Sequence, residues 1–94
     1  MLGQIPVDLS KVSKENLDKE ICRVGMIAEL DAVNLYEQLA AMTTNNDIKK
    51  ILLDIAGEEK THLGEFETIL LRLDKEQVKE SEKGRKEVEE LIGK

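Results

Sequence analysis

Two long runs of apolar residues at helical spacing, neither broken by proline, fix what this chain can fold into. From Lys14 the apolar positions recur at three- and four-residue steps through Leu17, Ile21, Val24, Ile27, Leu30, Leu35, Leu39 and Met42. The spacing predicts one amphipathic helix over 14–43. Ser13 can cap it, and Glu15 suits the positive end of its dipole. The run stops at Thr43-Thr44-Asn45-Asn46, whose side chains favour turns. A second run over 47–73 passes through Ile48, Ile51, Leu52, Ile55, Leu63, Phe66, Ile69 and Leu70. So short a connection makes the two helices antiparallel neighbours. Asp74 then opens a capping box with Gln77. The segment 75–92 is highly charged and reads as a helix or tail that leans on a partner. Residues 1–12, with the chain's only proline at Pro6, read as an irregular lead-in.

The expected fold is therefore all-α: an antiparallel two-helix hairpin plus a short C-terminal helix, within a single domain over 1–94. A chain of 94 residues leaves no room for a second domain. At this size only somewhat over ~60% of the unfolded surface is buried. With one Phe, one Tyr and no Trp the core must be aliphatic and thin. That thinness points to oligomerisation. Gly57 and Gly64 lie on one side of the second helix, where each costs about 1 kcal/mol against alanine. Close approach of another helix would compensate.

Several function classes drop out. A single cysteine forms no internal disulfide and no thiolate zinc module. A formal charge of −6 repels phosphate backbones, so nucleic acid is a poor partner. No segment approaches the ~20 apolar residues of a membrane span. Met1 to Ser10 lacks the basic start and apolar run of a signal peptide, so a cytoplasmic protein is expected.

The carboxylates carry the chemistry. At roughly 100° per residue, the face around Glu29 holds Cys22, Gly25, Met26, Ala32, Val33, Tyr36 and Ala40. The face around Glu59 holds Leu52, Ile55, Ala56, His62, Leu63, Phe66 and Leu70. Each glutamate thus sits at the centre of an apolar stripe. Burying one unpaired carboxylate costs several kcal/mol, more than a marginal fold tolerates twice. A buried cation, protonation or a metal ion could compensate. No Lys or Arg falls within either stripe, and protonation gives no reason for the matching histidine.

A metal accounts for all three residues. Glu59-Lys60-Thr61-His62 is a Glu-x-x-His step, which sends both side chains from one helix face. Carboxylate-bridged di-metal bundles take a Glu from each of two helices and Glu-x-x-His from each of two others. This chain has one copy of each part, Glu29 and the pair Glu59/His62. A two-fold dimer would complete both the bundle and the site. The four glutamates of such a dimer balance two divalent ions. Oxygen and nitrogen ligands without thiolate suit iron or manganese, whereas zinc prefers more nitrogen or sulfur.

The neighbours read differently. Asp31 lies about 160° around the helix from Glu29, so a surface carboxylate or an accessory metal-binding role both fit. Tyr36 can hydrogen-bond a site carboxylate or simply fill core. Glu58 could support the site, Glu65 and Glu37 read as solvated charges, and Cys22 as a small buried hydrophobe.

The segment Ala28-Glu29-Leu30-Asp31-Ala32-Val33-Asn34-Leu35-Tyr36-Glu37, followed by Gly57-Glu58-Glu59-Lys60-Thr61-His62, resembles the encapsulated ferritins. These are short two-helix members of the ferritin-like, rubrerythrin-related superfamily, and the resemblance covers roughly 14–73. It implies a ferritin-like four-helix bundle made by dimerisation, with an iron ferroxidase site at the subunit interface. It also implies an open ring of dimers, such as a decamer, inside an encapsulin nanocompartment. The family's ligands fall on Glu29, Glu59 and His62, its site tyrosine on Tyr36, and an acidic residue of the metal's approach route on Asp31. A neighbouring family glutamate is replaced by Ala28. The encapsulin shell protein is the implied partner, with 74–94 a stub of a fusion or a free adaptor. The expected activity is oxidation of iron(II) pairs by Glu29, Glu59, His62 and Tyr36. Two alternatives stay open: a rubrerythrin-like peroxide scavenger, and a non-enzymatic helical adaptor.

Overall fold

The computed structural model describes residues 8–94. The expectations for 1–7, part of the irregular lead-in and of the segment lacking signal-peptide features, lie outside the described residues. A short 3-10 turn, Leu9–Lys11, precedes three α-helices: α1 (Lys14–Met42), α2 (Asn46–Leu73) and α3 (Lys75–Ile92). There is no strand among the described residues, and the fold class is all-α.

The α1–α2 connection follows from local chemistry. The Thr43 amide closes α1 on the Leu39 carbonyl at 3.2 Å. The Thr43 hydroxyl accepts from the Asn45 amide at 3.1 Å. Asn45 then caps α2, its side-chain oxygen accepting from the amides of Asp47 and Ile48 at 3.0 Å each. Ser13 stands at the N-cap of α1 but makes no side-chain cap hydrogen bond. At the other end of the hairpin, Asp74 accepts from the Gln77 amide at 3.0 Å and caps α3. Only this half of the capping box forms, because the Asp74 amide already donates to the Leu70 carbonyl at 2.8 Å to close α2, while the Gln77 side chain donates to Ser81.

Asp74 also ties the root of α3 to α1. Its other carboxylate oxygen accepts from the Arg23 guanidinium at 2.8 Å. Asp74 is the one charged residue among the buried described residues. Its side chain is satisfied on both oxygens, as a buried carboxylate must be.

The hairpin core is small. Cys22, Val33, Ala40, Ala56 and Leu70 are the buried apolar residues, and among the described residues no large side chain is fully enclosed. Ile48, Ile51, Leu53, Val88 and Ile92 are all half exposed or more. The radius of gyration is 16.7 Å, against about 12 Å for a compact chain of this length. These helices present one packed seam and leave apolar surface for a further neighbour. A Cβ at Gly57 or Gly64 would meet nothing within 4 Å, so among the described residues of this chain neither glycine is explained by packing and both stand open to a further helix. No helix among the described residues is long and apolar enough to cross a membrane.

Candidate metal centre

The two centred glutamates face each other across the α1–α2 seam. Glu29 on α1 and Glu59 and His62 on α2 each offer one ligand atom, all within 4.8 Å of one another. Helical periodicity does this: three residues separate Glu59 from His62, and the capped turn sets the register that brings Glu29 opposite. His62 Nδ1 stands 3.5 Å from an oxygen of Glu29 and 3.5 Å from one of Glu59. The Glu29 and Glu59 side chains are 17% and 21% exposed and His62 45%, so the group is sheltered by the hairpin yet open on one side.

Its electrostatics are unresolved within the chain. Among the described residues no lysine or arginine pairs with Glu29 or Glu59; Arg23 pairs with Asp74 and Lys60 with Glu37. Glu29 Oε2 is fully buried and has no hydrogen-bond partner. Its 3.5 Å approach to His62 is an ion-pair distance, too long for a good hydrogen bond. The facing Glu59 carboxyl, then burial, hold the Glu29 pKa above the ordinary value, with His62 opposing. Desolvation lowers the His62 pKa, but Glu29 and Glu59 outweigh it and Glu65 adds to them, so the net shift is upward. Two carboxylates that must share a site without a cation mark a place that gains from positive charge.

A divalent cation fits this donor set. It would supply the charge that the Glu29 oxygen lacks, and two oxygen donors plus an imidazole match iron or manganese. Three protein ligands from one chain leave coordination positions open on the exposed side.

The other residues named from the sequence are not members of this group of three. Asp31 is half-buried on α1 and is not in the group of three. Tyr36 is half-buried two turns along α1 from Glu29. Glu37 is exposed and pairs with Lys60 at 3.0 Å across the helices. Glu58 and Glu65 are exposed. Cys22 is a free, buried thiol. Two features escaped the sequence reading, the Arg23–Asp74 pair and the seating of Phe66 on Gly25. The second left a signal, since Gly25 precedes Glu29 by four residues and Phe66 follows His62 by four.

Comparison with known proteins agrees with this geometry. Residues 5–83 match the model of the EncFtn-like family. The crystal structure of an encapsulated ferritin domain from Pyrococcus furiosus superposes with a TM-score of 0.84 at 50% identity, covering 96% of this chain and 90% of that one. A ferritin-like-encapsulin shell fusion protein of Pyrococcus furiosus is 56% identical over 81 residues, 86% of this chain and 23% of that protein. The encapsulin nanocompartment cargo protein EncC of Myxococcus xanthus is 39% identical over 71 residues, 72% of this chain and 55% of that protein. The chain thus spans about a quarter and about half of the length of these two relatives. With a match running through both hairpin helices and into α3, the chain belongs to the EncFtn-like family.

Proposed function

We propose that this protein is a ferroxidase that binds iron(II) in pairs at a homodimer interface and oxidises it to iron(III), for storage in an encapsulin compartment. The observation that carries the reading is the buried Glu29 Oε2, which makes no hydrogen bond, beside Glu59 and His62. One chain supplies half of the ligands a di-metal site needs, and a two-fold copy supplies the rest. The exposed apolar surface of the hairpin is what such a copy would cover.

Iron(II) is the substrate. The carboxylates of Glu29 and Glu59 bind it and His62 gives the nitrogen ligand. Each iron gives up one electron. Two irons together reduce dioxygen to hydrogen peroxide, or peroxide to water, with the protons taken from solvent. Harder oxygen ligands favour iron(III) over iron(II), so the glutamates hold the product state more strongly. Tyr36 and Asp31 are assigned to the surroundings of the site: Tyr36 as a hydrogen-bonding group toward the ligands, Asp31 as an acidic residue on the ion's approach. The net charge of −6 draws cations toward both.

The relatives support the destination. One is named as a fusion to an encapsulin shell and another as encapsulin cargo. We accordingly place this chain inside such a shell, as a dimer that assembles into a larger ring such as a decamer.

The test is iron(II) oxidation followed by absorbance under air, in the wild-type chain and in Glu59→Ala. The variant should lose at least about tenfold in rate, the cost of removing a first ligand at a metal site being no smaller than that of an outer one. An unchanged rate overturns the assignment.

A further inference from the structure

Gly25 occupies a position that no other residue can fill as the chain is packed. A Cβ built there would lie 2.8 Å from Phe66 Cε1, 2.8 Å from Cζ and 2.9 Å from Cδ1, against 3.4–4 Å for ordinary contact. The aromatic ring therefore rests on the bare α-carbon of the facing helix. Gly57 and Gly64, in the interior of α2, show nothing of the kind within 4 Å.

The location gives the contact its meaning. Gly25 lies four residues before Glu29, and Phe66 four residues after His62. In an antiparallel hairpin both steps run in the same direction. The ring and the glycine thus form the layer about 6 Å from the ligand cluster along the seam. Val33 and Ala56, both buried, pack on the opposite side of the cluster. The ligands thus lie between two flanking layers along the seam, one of which is a ring against backbone.

We propose that Gly25 and Phe66 are a positioning pair, which fixes the α1–α2 separation at which Glu29 meets Glu59 and His62. This inference rests on the metal-binding reading of that cluster. An added methyl at residue 25 must move the ring or the helix, by about 0.6 Å to regain ordinary contact, the difference between 3.4 and 2.8 Å. Metal–ligand distances tolerate about 0.2 Å. Taken up by the helix, a displacement of that size carries Glu29 out of the position in which one ion reaches all three side chains.

The test is a cobalt(II) titration of the full 94-residue chain, read by visible absorption, with melting of the metal-free protein measured in parallel. Wild type should bind cobalt(II) and Glu59→Gln should not. Gly25→Ala should weaken binding about tenfold or more and shift the absorption band. Gly64→Ala, the same change in open space, should bind as wild type. Phe66→Leu alone leaves a gap and should also weaken binding. Gly25→Ala with Phe66→Leu together restores the filled volume and should recover most of the lost affinity, a coupling that a double-mutant cycle measures.

Wild-type affinity and spectrum in Gly25→Ala would mean the ring swings aside, and would overturn the proposal. So would a double variant that folds but binds no better than the single ones. If Gly25→Ala fails to fold, Phe66→Leu decides, since it adds no atoms: unchanged binding overturns the pairing. A wild-type chain whose cobalt(II) absorption is unaffected by Glu59→Gln overturns the metal reading, and this inference with it.

Discussion

Glu29 and Asp74 are both sheltered carboxylates on the same hairpin, and they are treated in opposite ways. Asp74, at the root of α3, accepts from the Arg23 guanidinium and from the Gln77 amide, and its side chain is 10% exposed. The Gln77 amide, with Arg23 and Lys19 beside it, holds its pKa below the ordinary value of 3.8 against the cost of burial. Glu29, at the middle of the seam, is 17% exposed, faces a second carboxylate, and has a buried oxygen with no donor. Its pKa is pushed up from 4.5. The comparison separates two uses of a buried acid. Where the chain needs a joint it supplies the counter-charge itself. Where it sets only the half-exposed His62 against two carboxylates, the acid is available to something that comes from outside.

The sharpest way to break this comparison is Glu29→Gln. If the site exists for a cation, metal-free protein should melt at or above the wild-type temperature, because a like-charge contact is gone. Stabilisation by added metal should disappear. A ligand at about a hundredfold over its Kd contributes about 2.7 kcal/mol, which for a chain of this size is about ten degrees or more of melting temperature. Differential scanning with and without cobalt(II) reads both effects. If Glu29→Gln instead melts well below wild type and wild type gains nothing from metal, Glu29 is a structural acid like Asp74.

How much of this contrast the sequence discloses depends on range. Glu29, Glu59 and His62 are legible because each sits at the centre of a helical stripe, and periodicity alone locates a stripe. The two helices and their turn are legible for the same reason, with Asn45 supplying the stop. Arg23–Asp74 is not legible, because the partners are 51 residues apart and Arg23 is half exposed, like any surface charge. Gly25 and Phe66 both lie on the named stripes, yet their contact depends on the register between helices, which periodicity within one helix does not encode. Gly57 and Gly64 have no explanation within the chain for a related reason: a glycine in a helix signals a close approach only where something stands opposite, and here that face is open. The capping box at Asp74 is half right, since the Asp74 amide that Gln77 would reach back to is already spent on the Leu70 carbonyl at the end of α2.

The second prediction turns to Asp74. Asp74→Ala removes the cap of α3 and the partner of Arg23 together. It should lower the melting temperature by several degrees and reduce the helix signal, since α3 touches the hairpin mainly at its root. Asp74→Asn keeps a capping oxygen and loses the ion pair, and should fall between Ala and wild type. Cobalt(II) affinity should be nearly unchanged in both. A large loss of affinity would mean that the two regions are coupled and the contrast between them false.

Acid provides a milder probe of the same joint. A carboxylate whose folded pKa is depressed contributes stability above its unfolded pKa and loses it as pH falls through the folded value. For Asp74 the contribution is complete above about 3.8 and is lost below it. The difference in melting temperature between wild type and Asp74→Asn should therefore persist at mildly acid pH and shrink only below that point. A difference that vanishes near neutrality would show that Asp74 is not held by Arg23 and Gln77.

The smallest effect belongs to the third way this chain uses acids, the ion pairs along α3. Arg85 donates to both Glu82 and Glu89, and all three side chains are about half exposed. Arg85 draws the Glu82 pKa down through the hydrogen bond between them. In water, however, such pairs are screened and their side chains must give up rotamer freedom to meet. Arg85→Ala should therefore leave the melting temperature within the scatter of the measurement, at low salt and at high. Arg23→Ala, which strips the guanidinium from a buried acid, should produce a measurable drop that salt does not remove. The two arginines make contacts of similar form, so unequal outcomes would show that the burial of the acid sets the value of the contact. Equal outcomes would erase the distinction between the joint at Asp74 and the open surface of α3.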